Sequence, residues 1–244
     1  MLLIKMFPCL SDNYGFLLHD PRSGATACID TPETAAIEAA LSGSGWTLTE
    51  IWNTHHHPDH VGGNLQLAAE HGAIIRGPAH DARRIPGLTH GVSGGDVFRF
   101  GGQEVHVIET PGHTTGHIIY YIPEAEDGQG AAFVGDTIFV MGCGRLFEGT
   151  PEEMFESLAA IAAFPKSTKL YCAHEYTLSN GRFAQTVEPE NNALLAYIKT
   201  AAELRARGEP TVPTTVAREL SINPFVRAKT AQRLGEIRRA KDNF

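Results

Sequence analysis

Thr54-His55-His56-His57-Pro58-Asp59-His60 places four histidines and a carboxylate within seven residues. The strand-like run Leu48–Trp52 precedes it, and Val61-Gly62-Gly63-Asn64 leads on into a stretch of helical composition. A strand therefore empties into a loop that opens a helix, and functional groups collect at such carboxyl ends of strands. Imidazole suits zinc, iron and similar metals, and an interleaved carboxylate adds the negative charge that holds a dication. The spacing can present ligands to two metals from one loop, with His55 and His57 on one side and Asp59 and His60 on the other. A polar turn of solvated histidines is the plain alternative, which the clustering of His and Asp at ligand spacing outweighs.

On the N-terminal side, Leu2–Phe7 and Tyr14–His19 read as paired strands and Ala25–Ile29 as a third. A helix over Glu33–Leu41 stops at Ser42-Gly43-Ser44-Gly45. Beyond the histidine loop, a helix over 62–70 and a short strand at Ala73–Ile75 come before a loop-like segment, Gly77–Gly95. Strands at Asp96–Phe100 and Glu104–Glu109 lead into Thr110-Pro111-Gly112-His113-Thr114-Thr115-Gly116-His117, a second strand end rich in glycine and histidine. Ile118–Ile122 is a strand, Glu124–Gln129 a polar loop, and Ala131–Val134 a strand that delivers Gly135-Asp136. Thr150-Pro151-Glu152-Glu153 is a strong helix start, and that helix runs to about Phe164. Leu170–Cys172 is a last strand, ending at His174; from there only helices are expected, over Leu194–Arg207 and Arg227–Lys241. The expectation is an α/β domain over 1–173 and a small helical domain over 174–244.

The chain has 244 residues and a net charge of -8, which argues against general nucleic-acid binding. Its charge is uneven: Phe225–Phe244 holds six basic residues against Glu236 and Asp242. On composition alone this tail is a solvated helix face ahead of an anion dock. The N-terminus has no basic start, cleavage site or spanning apolar run, so a membrane helix is excluded and secretion disfavoured. Cys9, Cys28, Cys143 and Cys172 form no Cys-x-x-Cys pair and fit reduced thiols in a cytosol. Cys28 and Cys172 sit in strands as small core residues, and Cys143 between two glycines is expected first as packing, with lining a site as the alternative.

Four strand ends now carry candidate metal ligands: His55, His57, Asp59 and His60 from one, and His113, Asp136 and His174 from three others. If Asp136 bridges, each of two metals receives four protein ligands and a shared water fits between them. Two metals about 4 Å apart lower the pKa of that water toward ~7 and polarise a carbonyl. His56 is expected to point away, His117 to steady a ligand, and His19, His71, His80, His90 and His106 to lie at the surface.

These motifs resemble the metallo-β-lactamase superfamily, through THHHPDH, TPGHTTGH, Gly135-Asp136-Thr137 and His174. Within it the chain resembles the glyoxalase II (hydroxyacylglutathione hydrolase) family. That closer likeness rests on Ser11-Asp12-Asn13-Tyr14, the run Gly142–Thr150, His174-Glu175-Tyr176-Thr177, Glu209-Pro210-Thr211-Val212-Pro213, Asn223-Pro224-Phe225 and Arg238-Arg239-Ala240-Lys241-Asp242. The resemblance implies an αββα sandwich that binds two divalent metals, followed by a small C-terminal all-helical domain that binds substrate. Zinc is the first choice, with iron and manganese as alternatives. It assigns His55, His57 and His113 to one metal, Asp59, His60 and His174 to the other, and Asp136 to both. Asp59 and Asp136 are the catalytic pair. Arg145, Phe147, Tyr176, Arg238 and Lys241 correspond to the family's glutathione-binding positions, where Arg145 replaces a common lysine and Phe147 a common tyrosine. With this resemblance the basic tail reads as a dock for glutathione's carboxylates.

The implied reaction is hydrolysis of S-D-lactoylglutathione to glutathione and D-lactate, the second step of methylglyoxal detoxification, by a cytoplasmic monomer with no nucleic-acid or membrane partner. A one-iron persulfide dioxygenase of the same superfamily is the nearest rival, disfavoured by the full second ligand set. A secreted lactamase lacks its export signal here, and a nuclease its basic surface. A silent metal or glutathione binder is disfavoured by the intact ligands.

Overall fold

The computed structural model describes residues 1–126 and 128–244. They form two compact units, Met1–Glu109 with Gly116–Gly135, and Thr110–Thr115 with Asp136–Phe244.

In the first unit, β1 (Leu3–Cys9), β2 (Asn13–His19), β3 (Thr26–Ile29), β4 (Glu50–Trp52), β5 (Ile74–Pro78) and β6 (His90–Val92) lie side by side in chain order. The hairpin joints β1–β2 and β2–β3 are antiparallel. From β3 onward the strands are parallel, because α1 (Thr34–Ser44) and then α2 (Pro58–Val61) with α3 (Asn64–His71) carry the chain back between them. The register sorts the side chains into two rows. Leu17, Cys28, Ile51 and Ile75 are successive cross-strand partners and pack with Ile37 and Leu41 of α1 and Leu67 of α3 in one buried cluster. Phe16, Ile29 and Trp52 form the opposite row.

That opposite row meets a meander of β7 (Val97–Phe100), β8 (Gln103–Glu109), β9 (Ile118–Glu126) and β10 (Gln129–Gly135). Trp52 packs edge-on against Phe98 and Phe100, each 5.0 Å away, and lies 5.3 Å from Tyr120, while Phe16 meets Phe133 at 5.7 Å. Helices, sheet and meander are therefore three layers of one unit, and β4 at their centre feeds the histidine loop.

Two expectations for this unit are corrected. The stretch expected as loop over Gly77–Gly95 contains a single 3-10 turn, Ala79–Asp81, and β6. Three exposed or glycine-flanked residues carry no readable periodicity, and pairing with β5 makes them a strand. Within the expected polar loop Glu124–Gln129, β9 runs on to Glu126 and β10 begins at Gln129; Asp127 lies outside the described residues. Pairing again overrides polar composition.

The second unit contains a short hairpin of β11 (Ile138–Phe139) and β12 (Gly142–Cys143), then α4 (Pro151–Ala162) and β13 (Lys169–Cys172). The start of α4 is the capping box expected from its sequence, with Thr150 and Glu153 satisfying each other's backbone amides. Four helices follow: α5 (Thr177–Val187), α6 (Asn192–Ala206), α7 (Val216–Ile222) and α8 (Ala231–Asp242). Contrary to expectation a strand lies beyond residue 173, since β14 (Thr214–Thr215) pairs with Lys169 and Leu170. Helix α5 also escaped the sequence reading. Ser179-Asn180-Gly181 weakens its propensity, and burial of Phe183 and Ala184 compensates. No helix among the described residues is long and apolar enough to cross a membrane.

Glu219 on α7 ties this unit together. Its carboxylate accepts from Met141 N (2.9 Å), Asn223 Nδ2 (2.9 Å) and Thr214 Oγ1 (2.6 Å), while Asn223 Nδ2 also reaches the carbonyls of Phe139 and Gly142. Met141 turns the hairpin with φ 59°, a conformation these bonds hold in place. Burial raises the Glu219 carboxyl above its ordinary range, against the hydrogen bonds from Thr214, Met141 and Asn223. A folded pKa above the unfolded one means the native state holds the proton more tightly. Stability therefore falls as pH rises from the ordinary glutamate range through the raised value. Glu219→Gln is expected to remove that slope in melts taken across pH, and Glu219→Ala to cost about 2–4 kcal/mol by stranding three donors.

Candidate metal centre

In the first unit the ligand loop is held by one carboxylate. Asp30, closing β3 at φ 55°, accepts Thr54 N at Oδ1, and Thr54 Oγ1 and His60 Nδ1 at Oδ2, each at 2.8 Å. Since the Thr54 hydroxyl proton goes to Asp30, its oxygen accepts from His55 Nδ1 at 3.0 Å. Both rings are thus pinned through Nδ1 with Nε2 turned the other way, the arrangement by which a neighbour fixes a metal-ligating histidine. His55 Nε2 lies 3.1 Å from His57 Nδ1, and His60 Nε2 lies 3.5 Å from Asp59 Oδ2. Asn13 Nδ2 donates to Asp59 Oδ2 at 3.1 Å and fixes that carboxylate. His55 and His60 are buried, His57 and Asp59 partly exposed.

The remaining histidines fall into three groups. His56 turns away to Asp81, 3.1 Å, which also holds Arg84 and His80. His117 is buried and stacks on His55 with ring centres 4.8 Å apart. His80 and His90 are exposed, and His19, His71 and His106 half-buried. Gly135, at φ 47°, lies against this stack: a Cβ there would come within 2.6 Å of His117 Nε2 and Thr54 Oγ1.

In the second unit, His113 Nδ1 donates to Arg145 O at 2.9 Å, which orients the ring. Its Nε2 faces Asp136 Oδ2 at 3.4 Å, and His174 Nε2 faces the other oxygen, Oδ1, at 3.4 Å. One aspartate thus offers one oxygen beside each of two imidazoles. Tyr176 stacks on His174, with ring centres 4.7 Å apart and planes 4° from parallel.

These spacings test the fit of a metal. Tetrahedral ligands at about 2.0–2.1 Å from zinc stand about 3.3 Å from one another. The four donor pairs, at 3.1, 3.5, 3.4 and 3.4 Å, match that edge and three of them are long for a good hydrogen bond. The donor chemistry and spacing fit divalent metals.

Arg145, Phe147, Tyr176, Arg238 and Lys241 all line one cavity of the second unit, about 660 Å³, whose wall includes His113 and Asp136. Their states differ. Arg145 and Phe147 are exposed, whereas Arg238 is 5% exposed, with Nη1 donating to Cys143 O at 2.7 Å and Nη2 3.0 Å from Asp242. Lys241 Nζ donates to Ser179 O and Oγ, both at 3.2 Å. Cys143 lines the cavity too, but burial pushes its thiol up to about 11, so it is no thiolate at neutral pH. Asp30 and Arg182 were not foreseen. Asp30 sits at a strand end like the ligands themselves, which is the signal that would have found it; Arg182 lies on the unforeseen α5.

Residues 26–174 match the family model described as the metallo-beta-lactamase superfamily, and residues 175–244 the one described as hydroxyacylglutathione hydrolase C-terminus. ETHE1 from Myxococcus xanthus has the same fold, with a TM-score of 0.74 at 24% identity over 97% of this chain and 90% of that one. A metallo-beta-lactamase from Staphylococcus aureus subsp. aureus COL gives 0.72 at 19% identity, over 99% and 71%. The class is an enzyme of metallo-β-lactamase fold, with His/Asp clusters suited to a binuclear metal centre and a helical C-terminal domain. The chain is 52% identical to the hydroxyacylglutathione hydrolase of Maricaulis maris (strain MCS10) and 50% to that of Hyphomonas neptunium (strain ATCC 15444), covering 100% of this chain and 99% of each relative. It belongs to the hydroxyacylglutathione hydrolase family.

Asp30→Ala releases both Nδ1 locks at once and is expected to weaken metal affinity by about 10- to 100-fold. Elemental analysis after dialysis against a graded chelator reads this directly, and unchanged retention would show that the lock is dispensable.

Proposed function

We propose that this chain hydrolyses S-(2-hydroxyacyl)glutathione thioesters, with S-D-lactoylglutathione as substrate, to glutathione and a 2-hydroxy acid, D-lactate. The observation that carries the reading is the second unit's cavity, whose wall joins two candidate metal ligands, His113 and Asp136, to a set of cationic side chains. His55, His57 and His113 would hold one divalent ion, Asp59, His60 and His174 the other, and Asp136 would serve both. Zinc is the first choice on donor chemistry. When bound, such a pair supplies a nucleophile from water at neutral pH and stabilises the charge that develops on the carbonyl oxygen.

The chain's own residues do the rest. The Nδ1 contacts to Thr54, Asp30 and Arg145 O hold three imidazoles with Nε2 forward. Asn13 holds the Asp59 carboxylate, which would orient the attacking water. Arg145 and Lys241 face glutathione's carboxylates, and Tyr176 and Phe147 give its backbone an aromatic wall. A cysteine thiol has a pKa of about 8.5, so the leaving thiolate departs without a proton donor, and the protonated Cys143 has no role in that step. Residues 1–173 act as the catalytic domain and 174–244 as the substrate-binding one, a division supported by the junction of the two family models at 174/175. A monomer in the cytoplasm without nucleic-acid partners fits the net charge of -8 and the four reduced cysteines.

The native protein is expected to consume S-D-lactoylglutathione, read as loss of thioester absorbance and release of thiol. Asp136→Ala is expected to lower kcat by on the order of a thousandfold and to lose metal, since one change removes a ligand of both ions. A metal-loaded native protein that leaves the thioester intact but consumes oxygen with glutathione persulfide would overturn the reading. Phe147→Tyr restores one hydroxyl and is expected to lower KM by about two- to fivefold with kcat unchanged.

A further inference from the structure

Four cations line the cavity of the second unit, and three of them are already engaged within the protein. Arg238 is buried, with its guanidinium on Cys143 O and Asp242. Arg145 Nε lies 3.6 Å from the same Asp242 oxygen, and Lys241 donates twice to Ser179. Arg182 differs: it is exposed on the cavity wall, and among the described residues no acid stands within ion-pair distance of it.

An arginine on a protein surface is usually a solvated charge, but two observations set this one apart. Lys241 is held below the usual lysine range, first by burial and then by the charges of Arg238, Arg182 and Arg145, with Asp242 opposing. Arg182 is thus close enough to contribute to a crowd of like charges that one carboxylate does not balance. Its place on α5 also matters. Tyr176, which caps α5, is stacked on the candidate ligand His174, and six residues of helix put Arg182 about 9 Å further along the axis. Glutathione's sulfur is on its central residue, and the γ-glutamyl arm, eight bonds from sulfur to carboxylate carbon, reaches about 10 Å when extended. A thioester at the metal end would therefore bring a terminal carboxylate of glutathione to the level of Arg182.

We propose that Arg182 captures a glutathione carboxylate as a substrate-specificity residue beside Arg145, Arg238 and Lys241. The proposal rests on the thioester-hydrolase reading above and adds a residue to it. The guanidinium fork suits a carboxylate, and lysine keeps the charge without the fork.

The test uses the non-hydrolysable ligand S-hexylglutathione, titrated calorimetrically into the metal-loaded native protein, Arg182→Ala and Arg182→Lys, alongside steady-state kinetics with S-D-lactoylglutathione. Arg182→Ala is expected to weaken binding and to raise KM by the same factor, about five- to tenfold, with kcat unchanged, and Arg182→Lys to recover part of the loss. The deficit should vanish for whichever of S-hexyl-γ-glutamylcysteine and S-hexylcysteinylglycine lacks the captured carboxylate. Native turnover combined with Arg182→Ala affinity within twofold of native at low salt would overturn the proposal and leave the hydrolase reading standing. A native protein that neither binds S-hexylglutathione nor cleaves the thioester would overturn both.

Discussion

The first unit's ligand loop depends on the Asp30 carboxylate. It takes three hydrogen bonds of 2.8 Å from Thr54 and His60, and through the Thr54 hydroxyl it settles His55 as well. A buried carboxylate is costly unless its lone pairs are filled, and here the groups that fill them are the ones whose orientation matters. Asp30 adopts φ 55° to do this. That conformation is uncommon for a residue with a side chain, and it is held because β3 behind it pairs on both sides.

Elsewhere the same device recurs with different partners. Asp81 gathers His56, His80 and Arg84, whose hydrogen bonds keep its carboxyl below the usual range despite the opposing effect of burial. In the second unit, Glu175 accepts Thr211 N and Oγ1, fixing the segment between His174 and Tyr176, and Glu219 clamps the hairpin that connects Asp136 to Arg145. Each buried acid fixes a loop that packing alone would leave loose. The layered core sets where strands end, and these carboxylates set how the side chains beyond those ends point.

How much of this was legible in the sequence follows from the range of each interaction. Largely buried runs rich in apolar residues, such as Asn13–His19 and Glu50–Trp52, and a helix with a capping box at Thr150 declare themselves locally. So did His55, His57, Asp59 and His60, because ligand spacing is a property of neighbouring residues, whereas His113, Asp136 and His174 were readable only from their places at separate strand ends. The strand His90–Val92, the pair Thr214–Thr215 and the helix Thr177–Val187 did not, since each is specified by a partner distant in sequence or by burial that outweighs its own propensity. Asp30 was missed for the same reason. Its role lies in contacts 24 and 30 residues away. The likeness of Arg238 and Lys241 to glutathione-binding positions was visible, but the burial of Arg238 and the freedom of Arg182 belong to the packing of α5 and α8.

The net charge sharpens what the cavity must achieve. A body of charge -8 repels an anionic tripeptide at long range, and at physiological ionic strength that repulsion is screened beyond about 8 Å. Attraction must therefore come from charges that the substrate meets only on arrival. Arg145, Arg182, Arg238 and Lys241 are concentrated around one cavity, offset at that end by Asp242. Crowding them has a cost, seen in the lowered Lys241, which a bound carboxylate would relieve. A cavity so charged favours an acid-bearing ligand over a neutral one of the same shape.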